Sequence, residues 1–141
     1  EWLEAEVAGG EQVLDYGCGS GILAIAAMRL GAAAATGVDI DPLAIEAARY
    51  NSRQNDVEVQ LLDAGRPLAV AADLTVANIL ANPLRMLAPL LAAHTRGGGA
   101  LALAGILAPQ AGEVAESYAP WFDLRVTGCE GEWVRLSGRR H

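Results

Sequence analysis

Short apolar runs alternate along this chain with stretches of helical period, and Gly, Pro and Asn punctuate the joins. Gln12 to Tyr16 predicts a buried strand, followed by a glycine-rich turn and an Ala-rich helix from about Gly21 to Leu30. Gly31 is a good terminator for that helix. Ala35 to Ile40 predicts a second strand. Asp41-Pro42 then opens a helix, with Asp as N-cap and Pro at the first helical position. On this helix Leu43, Ala44, Ala47 and Ala48 share one face, while Glu46, Arg49 and Arg53 point elsewhere.

Val57 to Leu62 alternates like a strand, and Asp73 to Ala77 is another, ending at the turn Asn78-Ile79-Leu80-Ala81-Asn82-Pro83. A helix follows from about Leu84 to Ala93, and Gly97-Gly98-Gly99 predicts a loose connection. Ala100 to Ala104 gives a fifth strand, and a helix runs from about Pro109 to Ala119. Phe122 to Thr127 and Glu132 to Ser137, around Gly128 to Gly131, predict a hairpin. Alternation of this kind predicts an α/β domain: a mostly parallel sheet, helices on both faces, right-handed crossovers and a terminal antiparallel hairpin.

Length and composition sharpen the picture in three ways. A chain of 141 residues, 52% hydrophobic and 19% charged, suits one packed domain rather than two or a disordered segment. A net charge of −7 argues against a nucleic-acid surface and favours a basic or amine partner, although such a charge also serves solubility alone. No apolar stretch reaches membrane-spanning length, and Cys18 and Cys129 lack disulfide or metal spacing, which points to a reduced, cytoplasmic setting. The chain opens on Glu1-Trp2-Leu3-Glu4-Ala5, which reads as the middle of a helix without an N-cap, so further sequence is expected upstream.

The chemistry concentrates where strands end. Asp15-Tyr16-Gly17-Cys18-Gly19-Ser20-Gly21 joins the first strand to a helix, at the sheet edge where open α/β folds bind ligands. Glycines there let the backbone approach a ligand closely. The dinucleotide fingerprint needs Gly-x-Gly-x-x-Gly, and here the third glycine comes one residue early. Asp15 would also repel a pyrophosphate, yet it would attract a sulfonium and an ammonium. The loop therefore favours S-adenosylmethionine over a nicotinamide cofactor. Cys18 reads as a small residue in a tight turn, and Tyr16 as a packing residue.

Three further strand ends carry candidates. Asp39, about 20 residues past the glycines, is placed to accept hydrogen bonds from ribose hydroxyls, whereas Asp41 reads as a helix cap. Asp63 ends the third strand, either as an acceptor for an adenine amine or as an exposed turn residue. Asn78 ends the fourth strand, at the topological switch point. Its amide can hold a substrate amine, or it can simply form the turn with Asn82-Pro83. Trp133, on the hairpin, reads as packing before substrate contact, and no His or Cys stands beside a motif as a base.

Taken together, several of these segments resemble the ribosomal large-subunit protein-eleven methyltransferase family. They are Val13 to Ala27, Gly37-Val38-Asp39-Ile40-Asp41-Pro42, Val76-Ala77-Asn78-Ile79-Leu80-Ala81, Leu103-Ala104-Gly105-Ile106-Leu107 and Gly131-Glu132-Trp133-Val134. The resemblance covers essentially the whole chain. It implies a Rossmann-like class I methyltransferase fold that binds S-adenosylmethionine and methylates lysine and N-terminal amino groups of a ribosomal large-subunit protein. By the same resemblance Asp15, Gly17, Gly19, Asp39 and Asn78 line the cofactor pocket, with Asn78 facing the reacting amine and no metal required. The family carries an upstream substrate-recognition domain and a Thr-rich segment that these 141 residues do not include. Two alternatives stay open: a methyltransferase for another protein lysine or a small molecule, and a non-catalytic S-adenosylmethionine-binding module.

Overall fold

A computed structural model describes residues 2–141. Glu1, the first residue of the expected helical start, lies outside the described residues. The elements run α1 (Trp2–Glu6), β1 (Gln12–Tyr16), α2 (Ile22–Arg29), β2 (Ala34–Asp39), α3 (Pro42–Gln54), β3 (Gln60–Asp63) and β4 (Ala72–Asn78). They continue with α4 (Ala81–Ala93), β5 (Thr95–Leu107), a 3-10 turn (Ala108–Gln110), α5 (Ala111–Tyr118), β6 (Arg125–Glu130) and β7 (Trp133–Arg139).

Seven strands form one sheet in the order β3-β2-β1-β4-β5-β7-β6. Pairings from β3 through β5 are parallel, and β7 inserts antiparallel between β5 and β6. The reversal of strand order between β1 and β4 makes the switch point at which ligands bind in such sheets. The mostly parallel sheet with a terminal hairpin is thus as expected.

Strand alternation sends residues to two large cores and, around Leu14, Val38 and Ala72, a smaller one. Leu84, Leu91, Leu101, Leu103, Val114, Tyr118 and Phe122 build the one beneath α4 and α5. Leu3, Val13, Ala24, Ala27, Leu74, Val76, Ala100 and Ala102 build the other, beneath α1 and α2. The abundant Ala on this second side lets α2 lie close to the sheet. The Tyr118 hydroxyl, fully buried, donates to the Leu84 carbonyl at 2.6 Å and ties α5 to α4. Burial raises that phenol's pKa above its ordinary range.

Several boundaries differ from expectation. The α4 helix begins three residues before Leu84, because Pro83 falls in the first turn, where a missing N–H costs no helical bond. Gly97-Gly98-Gly99 belongs to β5 rather than to a loose connection. The Gly98 amide donates to the Arg140 carbonyl and the Arg140 amide to the Gly99 carbonyl, at 2.9 and 2.8 Å. The β3 strand is shorter than Val57 to Leu62 because only Gln60 to Asp63 find partners on β2.

The hairpin is shifted, with β6 running on through Gly128 to Glu130 and the reversal at Gly131-Glu132. On α3 the buried line is Ala48 and Ser52, with Ala44 half-buried, whereas Leu43 is 72% exposed. Ala47 is exposed as well, so of the expected Leu43, Ala44, Ala47 and Ala48 face only Ala44 and Ala48 turn inward.

Candidate functional site

Four adjacent strands bring the expected residues to one edge. Across β3-β2-β1-β4 the carboxyl ends carry Asp63, Asp39, Asp15-Tyr16 and Asn78, with Asp39 and Asp63 directly paired. Neighbouring strands lie about 4.8 Å apart, so these residues stand in a row along one edge of the sheet.

The glycine turn is fixed by its surroundings. The amides of Gly17 and Cys18 both donate to the Val38 carbonyl, at 2.7 and 2.9 Å. Gly17 adopts φ 74°, and a Cβ there would meet the Ile79 Cγ2 at 2.7 Å. Gly21 lies against Ala48 of α3, so a side chain would push the helix away. From the same helix the Asn51 amide donates to the Ser20 carbonyl at 3.0 Å. Cys18 is buried against Gly37, as a small turn residue should be, and burial together with Asp15 and Asp39 pushes its thiol up to about 12. Such a thiol is inert at neutral pH.

Asp15 is 1% exposed, and one carboxylate oxygen accepts from the Ala24 amide at 3.2 Å. Burial pushes its carboxyl up to about 7, opposed by the Ala24 N–H and reinforced by the charge of Asp39. A cation beside Asp15 restores its ionised form, whereas a phosphate would disfavour it further.

Asp39 does more than the sequence indicated. Its two oxygens accept from the amides of Gly19 and Asp41, at 2.9 and 3.0 Å, and so join the glycine turn to the start of α3. Each carboxylate oxygen has a further lone pair, so the arrangement still leaves acceptors for ribose hydroxyls. Asp41 caps α3 through the Leu43 amide at 2.9 Å, as expected. Asp63 accepts from the Gly65 amide at 2.8 Å, the turn role that the sequence left open. Its other oxygen has no hydrogen-bond partner among the described residues.

Asn78 is exposed at the end of β4, and its side chain makes no hydrogen bond among the described residues. Gly105 of β5, at φ 82°, crowds it from the side. A Cβ there would lie 2.6 Å from the Ile79 carbonyl oxygen and 3.1 Å from Asn78 Oδ1. Sequence reasoning missed this role, although a glycine interrupting an apolar strand is the usual sign of close backbone approach. Beside Asn78 opens a cavity of about 520 Å³, lined also by Ala104, Glu130, Trp133 and Arg135. Trp133 is half exposed here, so its ring faces the cavity instead of filling a core. His94 caps the C-terminal end of α4, and its Nδ1 lies 3.1 Å from the Val70 carbonyl oxygen, so it is bound elsewhere.

Chemically, this sheet edge offers a buried carboxylate, two further carboxylates, a turn in which three of five residues are glycine, and an amide. Among the described residues, no group of three or more His, Cys, Asp or Glu side chains could hold a metal. A nucleoside bearing positive charge fits that donor set, and an anionic cofactor does not.

Comparison with known proteins agrees with this arrangement. The family model described as Ribosomal protein L11 methyltransferase (PrmA) matches residues 1–141. The chain is 55% identical over 138 residues to a ribosomal protein L11 methyltransferase of Dechloromonas aromatica, covering 98% of this chain and 47% of that protein. With the corresponding protein of Aeromonas salmonicida it shares 51% identity over 144 residues, covering 100% of this chain and 49% of that one. The chain thus spans about half the length of the curated relatives it matches. The crystal structure of a ribosomal protein L11 methylase from Lactobacillus delbrueckii subsp. bulgaricus superposes with a TM-score of 0.92 at 33% identity, covering 99% of this chain and 75% of that one. A match along its entire length, in sequence and in fold, places this chain in the ribosomal protein L11 methyltransferase family.

Proposed function

We propose that this chain is the S-adenosylmethionine-dependent methyl-transfer unit of an enzyme that methylates lysine and N-terminal amino groups of ribosomal protein L11. One observation carries the step from fold to chemistry. The carboxylates of Asp15 and Asp39, with Gly17 and Gly19 between them in the turn, lie at the ends of β1 and β2, and the unengaged amide of Asn78 ends β4, the strand paired with β1 on its other side. Family membership supports the acceptor, since relatives of about twice this length carry the name of that substrate. We assign recognition of the acceptor protein's surface, as distinct from its reacting side chain, to the part of such enzymes outside these residues, and we place the enzyme in the cytoplasm. Among the described residues no helix is long and apolar enough to cross a membrane.

When bound, S-adenosylmethionine supplies an electrophilic methyl group on a sulfonium. Asp15 would offer negative charge to its cationic portion, Asp39 would accept from ribose hydroxyls, and Asp63 would accept from the adenine amine. The glycine turn keeps side chains out of the way. Asn78 Oδ1 would accept a hydrogen bond from the acceptor amine and so orient the amine's lone pair toward the methyl group. The amine would attack neutral, having lost its proton to water, with the methyl's bond to sulfur breaking as the N–C bond forms and the sulfur leaving as the neutral thioether of S-adenosylhomocysteine. Alignment of this kind supplies roughly 7–11 kcal/mol in favourable cases, so no strong base is needed.

Asn78→Ala therefore lowers methyl transfer to L11 about 100-fold, the scale of a small misplacement of reacting groups. Cofactor affinity, read by calorimetry, stays within about twofold, because the nucleoside contacts lie on β1, β2 and β3. Undiminished turnover in that variant would remove Asn78 from the mechanism.

A further inference from the structure

The 520 Å³ cavity beside Asn78 is walled by the hairpin, and its charges are unequally free. Asn78 and Ala104 stand on the same sheet face as Val76 and Ala102, two residues back along their strands. Trp133 and Arg135 alternate onto that face along β7. Glu130, paired directly with Trp133 across the hairpin, joins them. Arg135 is committed: its Nε donates to Thr127 Oγ1 at 3.1 Å and a terminal nitrogen to the Thr127 carbonyl at 2.7 Å. Its guanidinium lies across Gly128, where a Cβ would come within 3.2 Å of it. Glu130 has no hydrogen bond or ion pair among the described residues, and it is exposed at the hairpin tip.

We propose that this cavity takes the aliphatic side chain of the acceptor amine, and that Glu130 is the specificity-determining residue that receives it as an ammonium. The inference rests on the methyltransferase reading above. A lysine amine is protonated in solution, with a pKa near 10.4, so it arrives as a cation. Glu130 is the cavity's one uncommitted charge among the described residues, and it is negative. The half-exposed Trp133 ring beside it offers a face to the same cation. Farther in, the fixed guanidinium of Arg135 disfavours a second positive charge. The amine is thereby drawn to the rim as a cation and favoured beside Asn78 in its neutral, nucleophilic form. An anionic acceptor meets the opposite order.

The test uses the protein as its gene encodes it, with purified ribosomal protein L11 as acceptor and saturating S-adenosylmethionine. Glu130→Gln raises the acceptor KM about fivefold at low salt, the scale of an exposed charge contact. Its kcat and its cofactor affinity stay unchanged, and Glu130→Asp restores much of the lost affinity. The difference between Gln variant and native enzyme shrinks at 0.5 M salt, roughly as the Debye length falls. Equal acceptor KM values at low salt overturn this inference alone. A native enzyme that transfers no methyl group to L11 overturns the proposed function, and the inference with it.

Discussion

Asp15 is the residue whose replacement tests the electrostatics of this sheet edge most directly. Its carboxyl is raised from an ordinary 3.8 to about 7, chiefly by burial. In the unfolded chain the group ionises near pH 4, whereas in the folded, ligand-free chain it holds its proton to about pH 7. Between those values the folded state binds more protons, so stability falls as pH rises. Each pH unit of that interval costs about 1.4 kcal/mol, so Asp15 destabilises the ligand-free fold by roughly 4 kcal/mol at pH 8. Asp15→Asn removes the ionisation while keeping nearly the same shape. Urea unfolding of ligand-free native and Asn chains therefore gives nearly equal stabilities at pH 4. The Asn chain gains steadily up to about pH 7, and the advantage is constant above it. Cofactor affinity moves the other way, since the Asn variant lacks the charge that a sulfonium and an ammonium require. Parallel stability curves for the two chains from pH 4 to pH 8 would refute the claim that Asp15 is held out of water at the cost of its charge.

Two other substitutions separate binding from folding. Asp39→Ala removes the acceptor for the Gly19 and Asp41 amides and the proposed ribose contact, so S-adenosylmethionine affinity measured by calorimetry falls at least about tenfold. Tyr118→Phe leaves the buried Leu84 carbonyl without its partner at 2.6 Å. Chemical denaturation should show a loss of about 1–2 kcal/mol with cofactor affinity unchanged, because α4 and α5 lie away from the glycine turn.

Local sequence determined which elements form and where the chemistry sits. The apolar run of β1, the Asp41-Pro42 start of α3 and the glycines after Tyr16 each act within a few residues, so each was legible in the chain. Spacing between glycines, with Asp15 before them, was enough to set a sulfonium nucleoside above a dinucleotide. Tertiary packing decided the rest. It set the α4 start, because Pro83 is tolerated wherever a helix needs no amide partner. It carried Gly97 to Gly99 into β5, because Arg140, 41 or more residues later, supplies their ladder partner. It turned Trp133 and Glu130 toward Asn78, because the antiparallel insertion of β7 beside β5 fixes which face each residue takes. The carboxylate of Asp15 was visible as a letter from the start. Its reluctance to ionise was not, because desolvation is created only when α2 and the neighbouring strands close around it.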